Sequence, residues 1–349
     1  METLLFSVIA LLVCGWLLQP RERWFIPGLL AGVSIWVRPG GVTLLGPILF
    51  VLILRYNLYE ILQKGTRVAL GFLLPTGLYL LFNLQVAGDL LPNTFYAKQA
   101  EYAIARSVPL LQRLWKLGVQ PFVGVGIVLL PGFLLILIKA VKQRAWEIMA
   151  GPLWALGYIL LYVWKLPVIY QHGRYLIPTM SIFYIWGFAG FTDWVEWKSE
   201  NIFRRLVSKT WGILILVLTI LFWGIGAWVY GRDVAFIESE MVRTAHWVRT
   251  KTTQGDVIAA HDIGALGYFT EREIVDLAGL VSPEVIPFIR DEEQIAYYLD
   301  EKKVDYLITF PFWYPELVEG RKKIYTSKGS FAPRMGMENM AVFEWKSDE

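Results

Sequence analysis

The 349-residue chain holds one cysteine, Cys14, and three histidines, His172, His246 and His261. A lone cysteine excludes an internal disulfide and a cysteine-based zinc site. Three scattered histidines give no converging ligand set, so no metal is expected. Cys14 lies inside an apolar run and reads as a small buried filler. Leu11-Leu12-Val13-Cys14 has the outline of a lipoprotein cleavage site, but Val13 is branched where a small residue belongs. Glu2 is the only charge ahead of it, whereas a secretory leader opens on positive charge. Charged residues are also scarce, at 18%, which excludes a disordered chain.

Apolar residues fill the space the charges leave. Counting glycine and omitting tyrosine, about 60% of the chain is apolar, against roughly 45–50% in a soluble domain, and 16 residues are tryptophan. The charge is also unevenly divided. Residues 1–230 carry a net +10 and residues 231–349 a net −7. A basic, apolar front and an acidic, ordinary tail predict a polytopic α-helical membrane domain over 1–231 and a small water-soluble α/β domain over 232–349. The basic residues sit in short loops between apolar runs, so the expected partner is the lipid bilayer and not nucleic acid.

Eight apolar runs stand near 3–18, 24–37, 42–54, 68–86, 120–138, 149–164, 175–192 and 210–230. Arg38-Pro39-Gly40-Gly41 separates the second from the third and should end a helix. That leaves two short helices, with one long kinked helix as the competitor. With eight spans, one side of the membrane receives 12 Lys and Arg, among them Arg21, Arg23, Arg55, Lys64 and Lys198, and the other receives 7. The positive-inside rule makes the first side cytoplasmic. Both chain ends, Arg38, the segment 88–118 and the loop 165–174 then share the extracytoplasmic face of the plasma membrane. Within that segment, Leu110, Leu111, Leu114 and Leu117 oppose Arg106, Gln112, Arg113 and Lys116. The spacing suits a helix lying in the membrane surface; a plain linker is the other reading.

In the tail, a helix over 238–253 leads to a strand at Val257–Ala260 and a second at Ile274–Leu277. A helix over 291–303 precedes strands at Val304–Phe310 and Met340–Trp345. Gly264-Ala265-Leu266-Gly267 lacks the glycine spacing of a dinucleotide fingerprint, so no nucleotide cofactor is expected. His261-Asp262 can be a metal or acid–base pair, or a hydrogen-bonded pair at a strand end. Pro311-Phe312-Trp313-Tyr314-Pro315 is an aromatic loop that can meet lipid or a sugar face, or fold onto its own domain.

Several stretches carry a resemblance. Met1-Glu2-Thr3 before an apolar helix resembles an internal Gly-Met-Glu-Thr motif. Gly88-Asp89-Leu90-Leu91-Pro92-Asn93-Thr94-Phe95-Tyr96-Ala97-Lys98 resembles a loop of nearly the same wording. His172-Gly173-Arg174-Tyr175-Leu176-Ile177-Pro178 resembles an Arg-Tyr-Leu-x-Pro start of a later span. Ala260–Tyr268 and Asp276–Leu280 resemble parts of a C-terminal domain. All belong to the GT-C-fold, polyprenyl-phosphate-sugar-dependent membrane glycosyltransferases, in particular their arabinofuranosyltransferase- and mannosyltransferase-like branch. The chain departs from that pattern at Gly40, where the family has Glu or Asp. The family also carries its catalytic carboxylate upstream of the Gly-Met-Glu-Thr position, so the resemblance implies a chain lacking several N-terminal helices.

The resemblance implies sugar transfer from a polyprenyl-phosphate donor to a glycan or lipid acceptor of the cell envelope, with no cofactor beyond a divalent cation, which stays open. A carboxylate must take the acceptor's proton, and cations must meet the charge growing on the leaving phosphate. Arg174, beside His172 and Tyr175, is the first candidate for the phosphate, and Lys98 the second. Asn93 is a candidate hydrogen-bond partner of the sugar, and Asp89 the candidate base. Each has a plainer reading: Arg174 as a helix-end anchor, Asp89 as a turn or cap residue, Arg38 as a cap on the break between helices. The alternatives in function are a non-catalytic membrane-anchored binding protein, an inactive fragment, or, with fewer features in its favour, a transporter.

Overall fold

The computed structural model describes residues 2–20, 22–196 and 200–345, so Met1, Arg21 and Lys198 of the readings above lie outside the described residues. The chain divides into two compact units. Met1–Leu91 and Ile104–Trp223 form the first, and Pro92–Ala103 and Gly224–Glu349 the second. The division falls earlier than the charge step suggests, and a short piece of the front half joins the tail.

All eight apolar runs are helical. The helices through the first two thirds are α1 (Glu2–Leu17), α2 (Phe25–Val37), α3 (Leu45–Arg55), α4 (Leu58–Ala87), α5 (Asn93–Glu101), α6 (Leu110–Gly118), α7 (Gly126–Lys142), α8 (Ala150–Lys165), α9 (Tyr170–Gly173), α10 (Ile177–Trp194) and α11 (Ile202–Ile237). A 3-10 turn over Pro39–Leu44 separates α2 from α3. The break is therefore two short helices rather than one kinked one. Proline disfavours helix at the residue before it, and Arg38 is accordingly extended, with φ −152°. The longest early helix, α4, starts on a reciprocal cap in which Asn57 accepts from the Glu60 amide and Glu60 accepts from the Asn57 amide. It stops at Gly88 with φ 74°, a left-handed position that glycine takes without penalty.

Glycines set the closest helix crossings of the first unit. A Cβ at Gly28 or Gly32 of α2 would collide with the backbone oxygens of Val68 and Phe72 in α4, and one at Gly190 of α10 with the Gly132 carbonyl of α7. Spacing small residues four apart lets helix backbones meet. The core between them is built from Phe6, Val13, Trp24, Ile48, Trp154 and Tyr158.

Among the described residues, three helical stretches are long and apolar enough to cross a membrane: Leu58–Ala87, Trp146–Lys165 and Ile202–Lys251. A fourth arises if Leu110–Phe122 and Gly126–Lys142, bent by 90°, count as one. The apolar helices α1, α2 and α3, with 16, 13 and 11 residues, are shorter than the roughly 20 residues that cross the hydrocarbon.

The second unit holds a five-stranded sheet of order β2-β1-β3-β5-β4, with β1 (Val257–Ala260), β2 (Glu273–Asp276), β3 (Tyr306–Thr309), β4 (Lys323–Thr326) and β5 (Ala341–Glu344). β1 pairs parallel with β2 and β3, and β5 antiparallel with β3 and β4. Helices α12 (Arg243–Lys251), α13 (Gly264–Phe269), α14 (Glu292–Glu301), α15 (Pro315–Val318) and α16 (Phe331–Arg334) complete it. Both sheet faces are covered: Ala259, Leu307 and Phe343 belong to one apolar cluster, and Ile258, Ile308 and Val342 to another. That is why these strands read as continuous apolar runs rather than as alternation. The helix expected over 238–253 is continuous with α11 through a π-turn, Glu238–Val242.

Candidate functional site

The break after α2 delivers Arg38 into the first unit, where the residue is only 6% exposed. Its guanidinium donates through Nη1 to the Arg174 carbonyl (3.2 Å) and through Nη2 to Thr3 Oγ1 (2.7 Å) and Glu2 Oε1 (3.4 Å). Arg174 arrives from the other side. His172 and Gly173 both take positive φ, 59° and 65°, and this left-handed pair turns the chain sharply just before α10. Arg174 and Arg38 then meet the same ring, with their Cζ atoms 5.2 and 5.4 Å from the Tyr175 centroid. Arg174 Nη2 donates to Tyr175 Oη at 3.4 Å. Its Nε is buried and has no hydrogen-bond partner among the described residues.

An aromatic column supports Tyr175. Tyr162 stacks on it at 5.5 Å, Tyr158 follows at 4.9 Å and Trp154 at 5.2 Å. Trp154, Tyr158 and Tyr162 recur every four residues on one face of α8, a signal of the column that is present in the sequence. Glu2 and Thr3 join the site as partners of Arg38, which their place in the sequence does not announce. The column also limits Gly40: a Cβ there would stand 3.1 Å from Tyr158 Oη, so a side chain would need the ring to move.

The remaining candidates are placed differently. Asp89 is exposed in the turn after Gly88, a turn braced by Asn83 Nδ2 donating to the Leu90 carbonyl at 3.2 Å. His172 is exposed at the bend. Asn93 and Lys98 lie on α5 and so belong to the second unit. An apolar groove of about 780 Å³ between α7, α10 and α11 is lined by Pro131, Leu135, Trp194 and Trp211. Trp194 ends α10, whereas Arg174 precedes its start, so the groove lies away from the arginine pair.

In the second unit, His261 follows β1 and its Nδ1 shares a hydrogen bond with Tyr314 Oη at 2.8 Å. Burial lowers the His261 pKa from its ordinary value, partly opposed by Glu101. Burial raises that of Asp262, and Asp276 adds to the effect. Asp276 is committed to its own loop, accepting from the amides of Ala278, Leu280 and Val281. Of the aromatic loop, Tyr314 is buried and Trp313 half-buried against His261, while Phe312 is 46% exposed. Among the described residues, no three His, Cys, Asp or Glu side chains cluster in a way that could hold a metal.

Residues 232–343 match a family model described as a domain of unknown function, DUF8728, which covers the second unit's sheet except its last residue, Glu344, and less than half of the chain. No curated protein matches the chain.

Proposed function

We propose that this protein transfers a sugar from a polyprenyl-phosphate-linked donor to a cell-envelope glycan or lipid acceptor, at the extracytoplasmic face of the plasma membrane. The observation that carries this reading is the convergence of Arg38 and Arg174 on Tyr175. Arg38 pairs with one half-exposed carboxylate, Glu2, and Arg174 forms no ion pair among the described residues. The excess positive charge and the planar donor forks suit a phosphate. The tyrosine column beside them, buried at Tyr158 and Tyr175, fixes the ring that both guanidiniums meet.

The bilayer setting is supported by composition and exposure. The most apolar window of Ile202–Lys251 has none of its residues buried inside the protein, and Leu216 and Trp223 stand 60% and 78% exposed there. Such a surface is costly in water and ordinary in lipid. Eight spans, with the short helices tilting little and their flanking arginines reaching the interface, place Arg38 and Arg174 on the same, outer side. Asp89 is our candidate base, whereas Lys98 and Asn93 lie on α5 of the second unit and are not assigned to this site.

The test is transfer from radiolabelled polyprenyl-phosphate sugars by the full chain in nanodiscs. Arg174→Ala and Arg38→Ala should each lower the rate at least 100-fold, as loss of transition-state charge stabilisation does, with the thermal midpoint kept in Arg174→Ala and lowered in Arg38→Ala, whose buried hydrogen bonds are lost. Wild-type rates in both variants would sink the assignment. Asp89 is exposed in a turn and forms no ion pair with Arg38 or Arg174 among the described residues, and this favours a second reading, a membrane-anchored protein that binds the lipid phosphate without turning it over. Donor binding without transfer in the wild type would select that reading, and solute uptake into vesicles would select a transporter.

A further inference from the structure

We propose that the carboxyl end of β1 and β3 in the second unit binds a neutral sugar, held by the His261–Asp262 pair and the aromatic loop that contains Phe312 and Trp313. The sheet order carries the first part of the argument. From β1 the chain goes to β2 on one side, then returns past β1 to β3 on the other. In open α/β sheets, ligands bind beyond the carboxyl ends of the strands where the order reverses in this way. His261 and Asp262 follow the end of β1, and the aromatic loop follows the end of β3.

The chemistry carries the second part. Tyr314 is fully buried and its Oη has no other hydrogen-bond partner among the described residues, so we assign the phenol as donor to His261 Nδ1, which puts the imidazole proton on Nε2. Asp262 is half-buried, and no hydrogen bond to its carboxylate is formed among the described residues. A neutral donor and a carboxylate acceptor side by side match a hydroxyl, which both donates and accepts. Glu101 adds a second waiting acceptor. Its Oε1 is taken by Arg290, but its Oε2 is buried without a partner. The half-exposed Phe312 ring, with Trp313 behind it at 6.0 Å, offers an apolar face to the C–H side of a sugar ring.

The same groups argue against other ligand classes. A phosphate would need free cationic donors, and Arg290 is engaged by Glu101. Lipid contact would bring hydrocarbon against an unpaired carboxylate, which is costly. The inference does not rest on the arginine pair of the first unit, since it concerns binding and not transfer.

The experiment places 4-fluorophenylalanine at Phe312 in the full chain in nanodiscs and follows its fluorine resonance. The titrants are neutral trisaccharides of glucose, mannose, galactose and arabinose. At least one trisaccharide should shift the resonance in a saturable way. Asp262→Asn should weaken that binding about tenfold, equivalent to about 1.4 kcal/mol, with the thermal midpoint kept. Arg38→Ala and Arg174→Ala should leave it unchanged, whatever they do to transfer. If no trisaccharide shifts the resonance, or Asp262→Asn binds as tightly as wild type, the proposal is overturned. Broadening by a nitroxide-bearing lipid, without a saccharide-induced shift, would assign the loop to the membrane instead.

Discussion

Arg290 donates through Nε (3.0 Å) and Nη2 (2.5 Å) to one carboxylate oxygen of Glu101, a residue 189 positions earlier in the chain. This pair, together with the close approach of Ala97 to Gly279, is why Pro92–Ala103 belongs to the second unit and not to the helices that flank it in sequence. The two partners are unequally exposed, 12% for the Glu101 side chain and 41% for Arg290.

That inequality gives the first prediction. Arg290→Ala leaves a mostly buried carboxylate without its cation and should cost about 2–3 kcal/mol. Glu101→Ala leaves a guanidinium that water can reach and should cost only about 1 kcal/mol. Hydrogen exchange across 92–103 reads both. Faster exchange in Glu101→Ala than in Arg290→Ala would contradict the argument.

Glu240 is fully buried in the π-turn. Its Oε2 accepts from Ser327 Oγ and from the Met340 amide (3.0 Å), and its Oε1 from Asn339 Nδ2 (2.9 Å). All three are donors, so the carboxylate is the joint between the end of the long helix and the β4–β5 hairpin. Glu240→Gln puts an amide NH₂ against at least one N–H that cannot accept, and should cost about 2–3 kcal/mol. Urea unfolding of the second unit, followed by its tryptophans, measures the loss. A change under about 0.5 kcal/mol would show that the joint carries little of the unit's stability.

Pairs of this kind also mark where sequence reasoning stops. β1 was expected at Val257–Ala260 and lies at Val257–Ala260, because both faces are buried and the run is uniformly apolar. β4 was missed: Lys323-Ile324-Tyr325-Thr326 is an edge strand with no fully buried residue, so its apolar signal is half-strength. The helices were read correctly as helices, because length and hydropathy suffice for that. The arginine pair was half visible. Arg38 and Arg174 could each be named from a helix end, but their meeting at Tyr175 depends on a chain reversal at His172 and Gly173 and on contacts made across 136 residues. Nothing in Glu101 or Arg290 taken singly announces the partner.

The crossing of α7 and α10 should tolerate no side chain at Gly190, where a Cβ would strike the Gly132 carbonyl. The obstacle is backbone, which cannot rotate away as a flexible side chain can. Gly190→Val should therefore separate the helices and cost about 3 kcal/mol or more. Gly157→Val, at a position with open space around it, should cost under about 1 kcal/mol. Thermal unfolding in a fixed detergent compares the two. Equal midpoints for the two variants would refute a close backbone crossing.

Acid should weaken the second unit through His261. An unfolded histidine titrates near its ordinary 6.5, whereas burial at the strand end lowers the folded value. Above 6.5 the imidazole is neutral in both states and contributes no pH dependence. As the pH falls below 6.5 the unfolded chain takes up the proton first, so stability declines until the folded value is passed. Asp262 acts in the opposite sense. Its folded value is raised above the ordinary 3.8, so across the interval above 3.8 the folded state binds the proton first and stability recovers as the pH falls. The groups around His261 are Tyr314, Glu101, Arg290 and Asp276. His261→Gln keeps a hydrogen-bonding group toward Tyr314 but cannot titrate. Urea midpoints measured from pH 7.5 downward should therefore fall below pH 6.5 in the wild type and fall less steeply in His261→Gln. Parallel curves would mean that the acid loss comes from elsewhere in the chain.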